Sequence, residues 1–293
     1  MNHDQTTEAA RQGAQAFTFV ELLVVLAVIA LLALVAVPAL SKTGPDAQVF
    51  QCRNNLRQWA LAMQMYANEN SDTMPHDGMG VNGDYPDTTQ PYSGSRDLNQ
   101  WFDCLPSFLG EQPLYDYTVR ASSSAQYNST VIPFPGGVGR IYECPSAWMS
   151  SSDLMNLAGQ GAGGFFSYGM NIDLKREYIS SEGVYVAMPY PQMPKTTALP
   201  KPSATVFMFD MAFNSKEFPY ANLYYSVNPA GRWTAFARRH CAGEGGVLAF
   251  VDGHCGYFKW SYVYNQNNPA VTDIGEPLNP DIIWNPPYRA AVP

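Results

Sequence analysis

Charged side chains are scarce, at 14% of 293 residues, and basic ones are the scarcer: 17 Lys and Arg stand against 25 Asp and Glu. A formal charge of −8 excludes a chain that coats nucleic acid through its phosphates, because that mode needs a basic surface. The local exception, Arg232, Arg238 and Arg239, reads as a solvated strand end rather than a DNA patch. Catalytic signatures are lacking too. There is no Gly-x-Ser-x-Gly, no His-Glu-x-x-His and no phosphate loop, and His76-Asp77-Gly78 reads as turn chemistry. The sequence offers no enzyme. Its cysteines, Cys52, Cys104, Cys144, Cys241 and Cys255, form no Cys-x-x-Cys pair and no zinc spacing.

What is abundant points elsewhere. Aromatics are plentiful, and Gly and Pro number 23 each, a mix that favours turns and short strands over a helical bundle. From Leu22 to Leu40 no side chain is charged or strongly polar. As a helix this run measures roughly 28 Å, close to the hydrocarbon thickness of a bilayer. It is apolar on every face, so it is not a surface helix. It is too long for a cleavable secretory signal, its exit Val37-Pro38-Ala39-Leu40-Ser41 is a poor match to a cleavage site, and Arg11 is offset by Asp4 and Glu8. An uncleaved signal anchor is the plain alternative.

Glu21 decides between these readings. A carboxylate at the edge of an apolar membrane helix is costly to insert unless it is paired. A wet, ionised Glu at the membrane interface is the bland account. Yet Ala16-Phe17-Thr18-Phe19-Val20-Glu21, followed by the apolar helix, resembles the type IV prepilin cleavage site. That resemblance implies that prepilin peptidase cuts between Ala16 and Phe17 and that Phe17 becomes an N-methylated terminus. It also implies that Glu21 meets the Phe17 amine of a neighbouring subunit inside a filament. Pro38 sits where pilin helices commonly carry a proline, which removes a hydrogen bond and invites a kink. Ala16 stands where the family usually has Gly.

Beyond Pro38, Gly44-Pro45-Asp46 reads as a helix start. Val49, Cys52, Leu56, Trp59, Met63 and Tyr66 then form one apolar stripe that should face a sheet. Asn68-Glu69-Asn70-Ser71 ends it, and a break or kink is expected between Pro38 and Pro45. Residues 71–140 read as loops with a short helix near Trp101–Leu109 and a flexible tip at Ser122-Ser123-Ser124. Strand-like runs follow at Arg140–Glu143, Phe165–Asn171, Gly183–Met188 and Thr205–Asp210. The strongest local signal is a hairpin: Gly246–Val251 and His254–Trp260 flank Asp252-Gly253, read as a two-residue turn. The tail from Asn265 to Pro293 reads as an extended wrap rather than core. If the domain is exported, disulfides are permitted. Cys52–Cys144 would tie the long helix to the sheet, Cys241–Cys255 would span the hairpin base, and Cys104 would be left over.

Four further segments, Cys52-Arg53-Asn54-Asn55-Leu56, Cys144-Pro145-Ser146, Ser167-Tyr168-Gly169-Met170-Asn171 and His240…Asp252-Gly253, resemble a branch of pilin-like proteins with a late His…Asp-Gly motif. Here eleven residues separate that His and Asp, against nine in the family. His240, Asp252 and His254 are candidates for a metal or acid–base site, although a turn at Asp252-Gly253 and a hydrogen-bonded His240 explain them as well. Some pseudopilins hold calcium in a late loop, which makes Asp252 a weak calcium candidate.

The expectation is an α+β chain: leader 1–16, transmembrane helix 17–40, amphipathic continuation 41–70, and an exported β-rich domain over 71–293 with an antiparallel sheet of about four to six strands. The expected role is a pseudopilin or minor pilin in a type IV pilus-like or type II secretion filament. Its partners would be prepilin peptidase, other pilin subunits and the inner membrane, with the globular domain periplasmic or extracellular. One alternative is a non-assembling anchored binding protein using Tyr85, Tyr92, Trp101, Tyr115 and Tyr117. Another is an anchored metallohydrolase using His240, Asp252 and His254.

Overall fold

The structure, a computed structural model, describes residues 18–40, 45–79, 97–122, 133–149, 166–179, 184–187, 193–212, 217, 228–264 and 278–286. The chain divides into two compact units, Met1–Gly44 and Pro45–Pro293. The first holds helix α1, Phe19–Leu40, which continues past Pro38. Thr18 and Glu21 start it reciprocally. The Glu21 backbone N–H donates to Thr18 Oγ1 at 3.3 Å, while the Thr18 N–H and hydroxyl both donate to Glu21 Oε2 at 2.8 Å. This is a capping box, in which the residue three places into the helix reaches back to its start. Every side chain described in α1, from Phe19 to Ile29, is exposed. Among the described residues no helix is long and apolar enough to cross a membrane. The expected break between Pro38 and Pro45 falls partly on 41–44, outside the described residues.

The second unit begins with α2, Pro45–Glu69, a start at Pro45 as the Gly-Pro-Asp sequence predicts. Its stripe is buried at Cys52, Leu56, Trp59 and Met63, with Val49 and Tyr66 half-buried at the edges, while Arg53, Asn54, Arg57 and Asn68 face solvent. The stripe packs across strands β4 (Val206–Asp210), β6 (Gly245–Phe250) and β7 (Cys255–Lys259). With β1 (Tyr168–Asn171) and β5 (Ala230–Gly231) these make a five-stranded sheet in the order β5-β1-β4-β6-β7. Every pairing is antiparallel except β1 with β5. The fold is therefore α+β, with a helix on a largely antiparallel sheet. A separate hairpin pairs β2 (Arg176–Ile179) with β3 (Val184–Ala187).

Several local expectations are corrected. Arg140–Tyr142 is a 3-10 turn rather than a strand, because its carbonyls are drawn to α2. Asn55 Nδ2 donates to the carbonyls of Arg140 and Glu143 at 3.0 and 3.1 Å, and Trp59 Nε1 to that of Ile141 at 2.9 Å. The β6–β7 loop is wider than a two-residue turn. Phe250 N–H bonds to His254 O and Gly253 N–H to Phe250 O, while Val251 N–H is taken by Thr205 O. Val251 thus leaves the ladder, and Gly253 closes a three-residue loop at φ +93°, where glycine avoids the Cβ clash. The tail is not peripheral throughout. Leu278, Ile282 and Trp284 are buried, and Trp284 packs edge-on against Phe209, 5.0 Å between ring centres. The short helix α3, Trp101–Cys104, runs into a 3-10 turn over Pro106–Leu109 as expected. Two further helices were not read from sequence: α4, Leu114–Ser122, and α5, Pro133–Gly136. Ser122 therefore ends a helix. A final short helix, α6, covers Trp260–Val263.

Candidate functional site

Among the described residues a buried polar cluster lies inside the second unit, where α2 meets the sheet. The apolar period of α2 turns Cys52 inward, and the same turn of helix presents Asn55, whose amide also reaches the Tyr168 hydroxyl at 3.3 Å. By gripping the carbonyls of 140 and 143, Asn55 holds the chain that carries Cys144. Ser167 fixes Cys144 from the other side, its Oγ accepting the Cys144 N–H at 2.8 Å. Asp210 ends β4 opposite Tyr168 on β1. His240 opens a tight turn closed by its bridge to Gly245 at the start of β6. Gly246 permits this approach, since a Cβ there would stand 2.7 Å from Ala237 O and 3.2 Å from Asp210 Cβ.

Four donors converge as a result. Cys52 Sγ donates to Asp210 Oδ1 at 2.9 Å, His240 Nε2 lies 3.1 Å from Asp210 Oδ2, and Cys144 Sγ lies 3.4 Å from the same His240 nitrogen. All four residues are buried, and their ligand-type atoms lie within 4.8 Å of one another. Val247 N–H also donates to Asp210 Oδ2 at 2.8 Å. Burial alone pushes His240 toward neutrality, but the Asp210 carboxylate and the Cys144 sulfur raise it to about 10. Burial likewise opposes ionisation of Asp210, yet His240 and Arg239 hold its carboxyl below the ordinary range. Cys52 is pushed well up by burial and by its neighbours Cys144 and Asp210. Burial pushes Cys144 the same way, but the Cys52 thiol, His240 and Arg239 bring it down to about 6. The cluster gathers negative charge on one side of a single imidazole.

Sequence reasoning found His240, Cys52 and Cys144 separately and missed Asp210. The signal for Asp210 was a lone carboxylate ending the apolar run of β4. Asp252 and His254 do not join His240. They pair with each other at 2.6 Å on the exposed hairpin loop, beside an open groove lined by Phe50, Arg53, Arg57 and Leu61 of α2. Among the described residues Asp252 belongs to no group of three or more His, Cys, Asp or Glu donors.

All five cysteines are free thiols. Cys241 and Cys255 lie at opposite ends of the hairpin, because Gly245 pairs with Lys259 and Ala249 with Cys255. Cys241 itself sits in the turn that leads into β6, and neither thiol is bonded to the other. Cys104 donates to Asn99 O at 3.3 Å.

The remaining candidates divide between core and surface. Trp101 and Tyr117 are buried and Tyr115 is exposed, so the proposed aromatic binding surface loses two members to the core; Tyr85 and Tyr92 lie outside the described residues. The arginine group divides: Arg232, just after β5, is a solvated strand end, and the other two are half-buried. Arg232 pairs with Asp173, Arg239 with Glu217, and Arg238 covers the Trp260 ring. Ala16 and Phe17 lie outside the described residues, and Glu21 is engaged in the capping box.

Two comparisons place the chain. Residues 11–37 match the prokaryotic N-terminal methylation motif, which makes this a type IV pilin-like protein, exported and associated with the cell envelope. The motif implies processing by prepilin peptidase. Residues 47–217 match the family described as protein of unknown function DUF1559, and the chain belongs to that family. Neither match indicates a catalytic family. No curated protein and no solved structure matches the chain.

Proposed function

We propose that this chain is a structural subunit, a pseudopilin or minor pilin, of a type IV pilus-like or type II secretion filament. Cleavage falls between Ala16 and Phe17, Phe17 is N-methylated, and residues 17–40 anchor the protein in the inner membrane before it enters the filament. The observation that carries this reading is the methylation motif over residues 11–37, with Thr18 and Glu21 joined at the start of α1. The capping box gives the Glu21 carboxylate donors but no cation. A buried carboxylate needs a counter-charge as well. The amine of a neighbouring subunit's Phe17 supplies it when α1 helices bundle laterally.

N-terminal mass spectrometry of the protein purified from membranes tests the processing. The expected terminus is N-methylated Phe17, and a mature protein still starting at Met1 would overturn the proposal. Assembly is tested by Glu21→Ala, which is expected to insert in the membrane yet fail to enter filaments. Undiminished incorporation would leave an anchor that never needed its acid.

A further inference from the structure

We propose that Cys52, Cys144, Asp210 and His240 form a closed tetrahedral site for a zinc-class divalent ion, which staples α2 to the sheet and to the segment around Cys144. Two sulfurs, an imidazole and a carboxylate, all buried, reach one point from four separate stretches of chain. Around a tetrahedral zinc ion, with bonds of about 2.3 Å to sulfur and about 2.0–2.2 Å to nitrogen and oxygen, neighbouring ligands stand roughly 3.4–3.8 Å apart. His240 Nε2 stands 3.1 Å from the other oxygen of Asp210, Oδ2, and the ligand pairs stand at 3.4 Å (Cys144 Sγ to His240 Nε2) and 2.9 Å (Cys52 Sγ to Asp210 Oδ1). Opening the last by roughly 0.7 Å would seat the ion.

The orientation of His240 separates this reading from a catalytic one. In a nucleophilic triad the imidazole divides its nitrogens, one toward the nucleophile and the other toward the carboxylate. Here Cys144 and Asp210 both face Nε2. Nδ1 turns away to Ser146 Oγ at 3.2 Å, and the Ser146 hydroxyl donates onward to Gln48 Oε1 at 3.1 Å. Ser146 Oγ is thereby left to accept Nδ1–H, which directs the Nε2 lone pair inward as a metal requires. Asp210 is prepared in the same way: Val247 N–H holds Oδ2, leaving Oδ1 for the ion. Binding releases the Cys52 thiol proton and the His240 Nε2 proton to solvent. With all four ligands buried and all four positions filled by protein, the site is of the structural kind rather than one open to substrate. It stands whether or not the chain assembles into a filament.

The test uses the full chain, purified in detergent. Without added reductant, thiol mapping should find Cys52 and Cys144 unlinked and elemental analysis should find zinc near one per chain. Cobalt substitution should give the intense bands of a tetrahedral ion and thiolate-to-cobalt charge transfer, and added zinc should raise the thermal midpoint of the metal-free chain. Cys52→Ser and Cys144→Ser should abolish the cobalt spectrum, whereas Cys255→Ser should keep it. Ser146→Ala leaves the four ligands in place, so it guards against misfolding as the cause; it should weaken zinc by about 10–100-fold. A Cys52–Cys144 disulfide in the isolated protein, no uptake by the reduced chain, or a cobalt spectrum unchanged in the cysteine variants would each overturn the site.

Discussion

Asp103 is buried in α3, where Gln100 Nε2 and the Tyr115 N–H donate to its two oxygens. Burial, reinforced by Asp97 and Asp116, nevertheless raises its carboxyl from 3.8 to about 6. A raised acid stabilises the fold in its protonated form, so this contribution is fully present below about pH 4 and is lost as pH rises through about 6. The loss corresponds to about 3 kcal/mol. Asp103→Asn is expected to be nearly neutral at pH 4 and stabilising at pH 7, measured as the difference between urea unfolding curves at the two values. Gln100 can accommodate the amide, since its Oε1 lacks a partner and a flip would turn it to the new donor. Asn55 presents the opposite case. Its amide serves three acceptors, and Asn55→Leu would remove the donor from two part-buried carbonyls and a buried hydroxyl. A loss of about 1–3 kcal/mol is expected in the same assay.

Among the elements, α2 organises the second unit, and its cost of damage should be concentrated on one face. Trp59 is fully buried, packs against Trp101 and Tyr142, and donates to Ile141 O. Trp59→Ala is expected to cost about 3–5 kcal/mol, whereas Arg57→Ala on the outer face should change stability by less than about 0.5 kcal/mol. The β6–β7 loop gives a smaller, local test. Gly253 holds φ +93°, so Gly253→Ala should cost about 1–2 kcal/mol with little effect elsewhere in the sheet. An unchanged midpoint would mean that the loop relaxes into a turn any residue can adopt.

For the whole molecule the two units should respond separately. Glu21 belongs to the unit that ends at Gly44, and Cys52, Asp103 and Trp59 to the unit that begins at Pro45. Glu21→Ala is therefore expected to move the thermal midpoint of the second unit by less than about 2 °C while blocking filament incorporation. Trp59→Ala should do the reverse in sequence of cause, lowering the midpoint first and assembly only through loss of folded protein. A shared thermal shift in both variants would argue against independent units.

The sequence by itself determined what rests on neighbours along the chain. The period of the α2 stripe, the Pro45 start, the apolar strand runs and the Phe-Thr-x-x-Glu entry to α1 are local patterns, and helix and strand periodicities expose them directly. Thr18-x-x-Glu21 was legible as a capping box in the same way, though its prepilin reading overshadowed it. Tertiary structure decided the rest, because it depends on which distant residues meet. Arg140–Tyr142 is β-favouring alone but bends into a turn once Asn55 and Trp59 claim its carbonyls. His240 lies twelve positions before Asp252 yet pairs with Asp210, thirty positions before it, across the β4–β6 interface. No spacing rule joins Cys52, Cys144, Asp210 and His240. They come together because burying the apolar face of α2 against the sheet carries one donor from each of four segments to the same point.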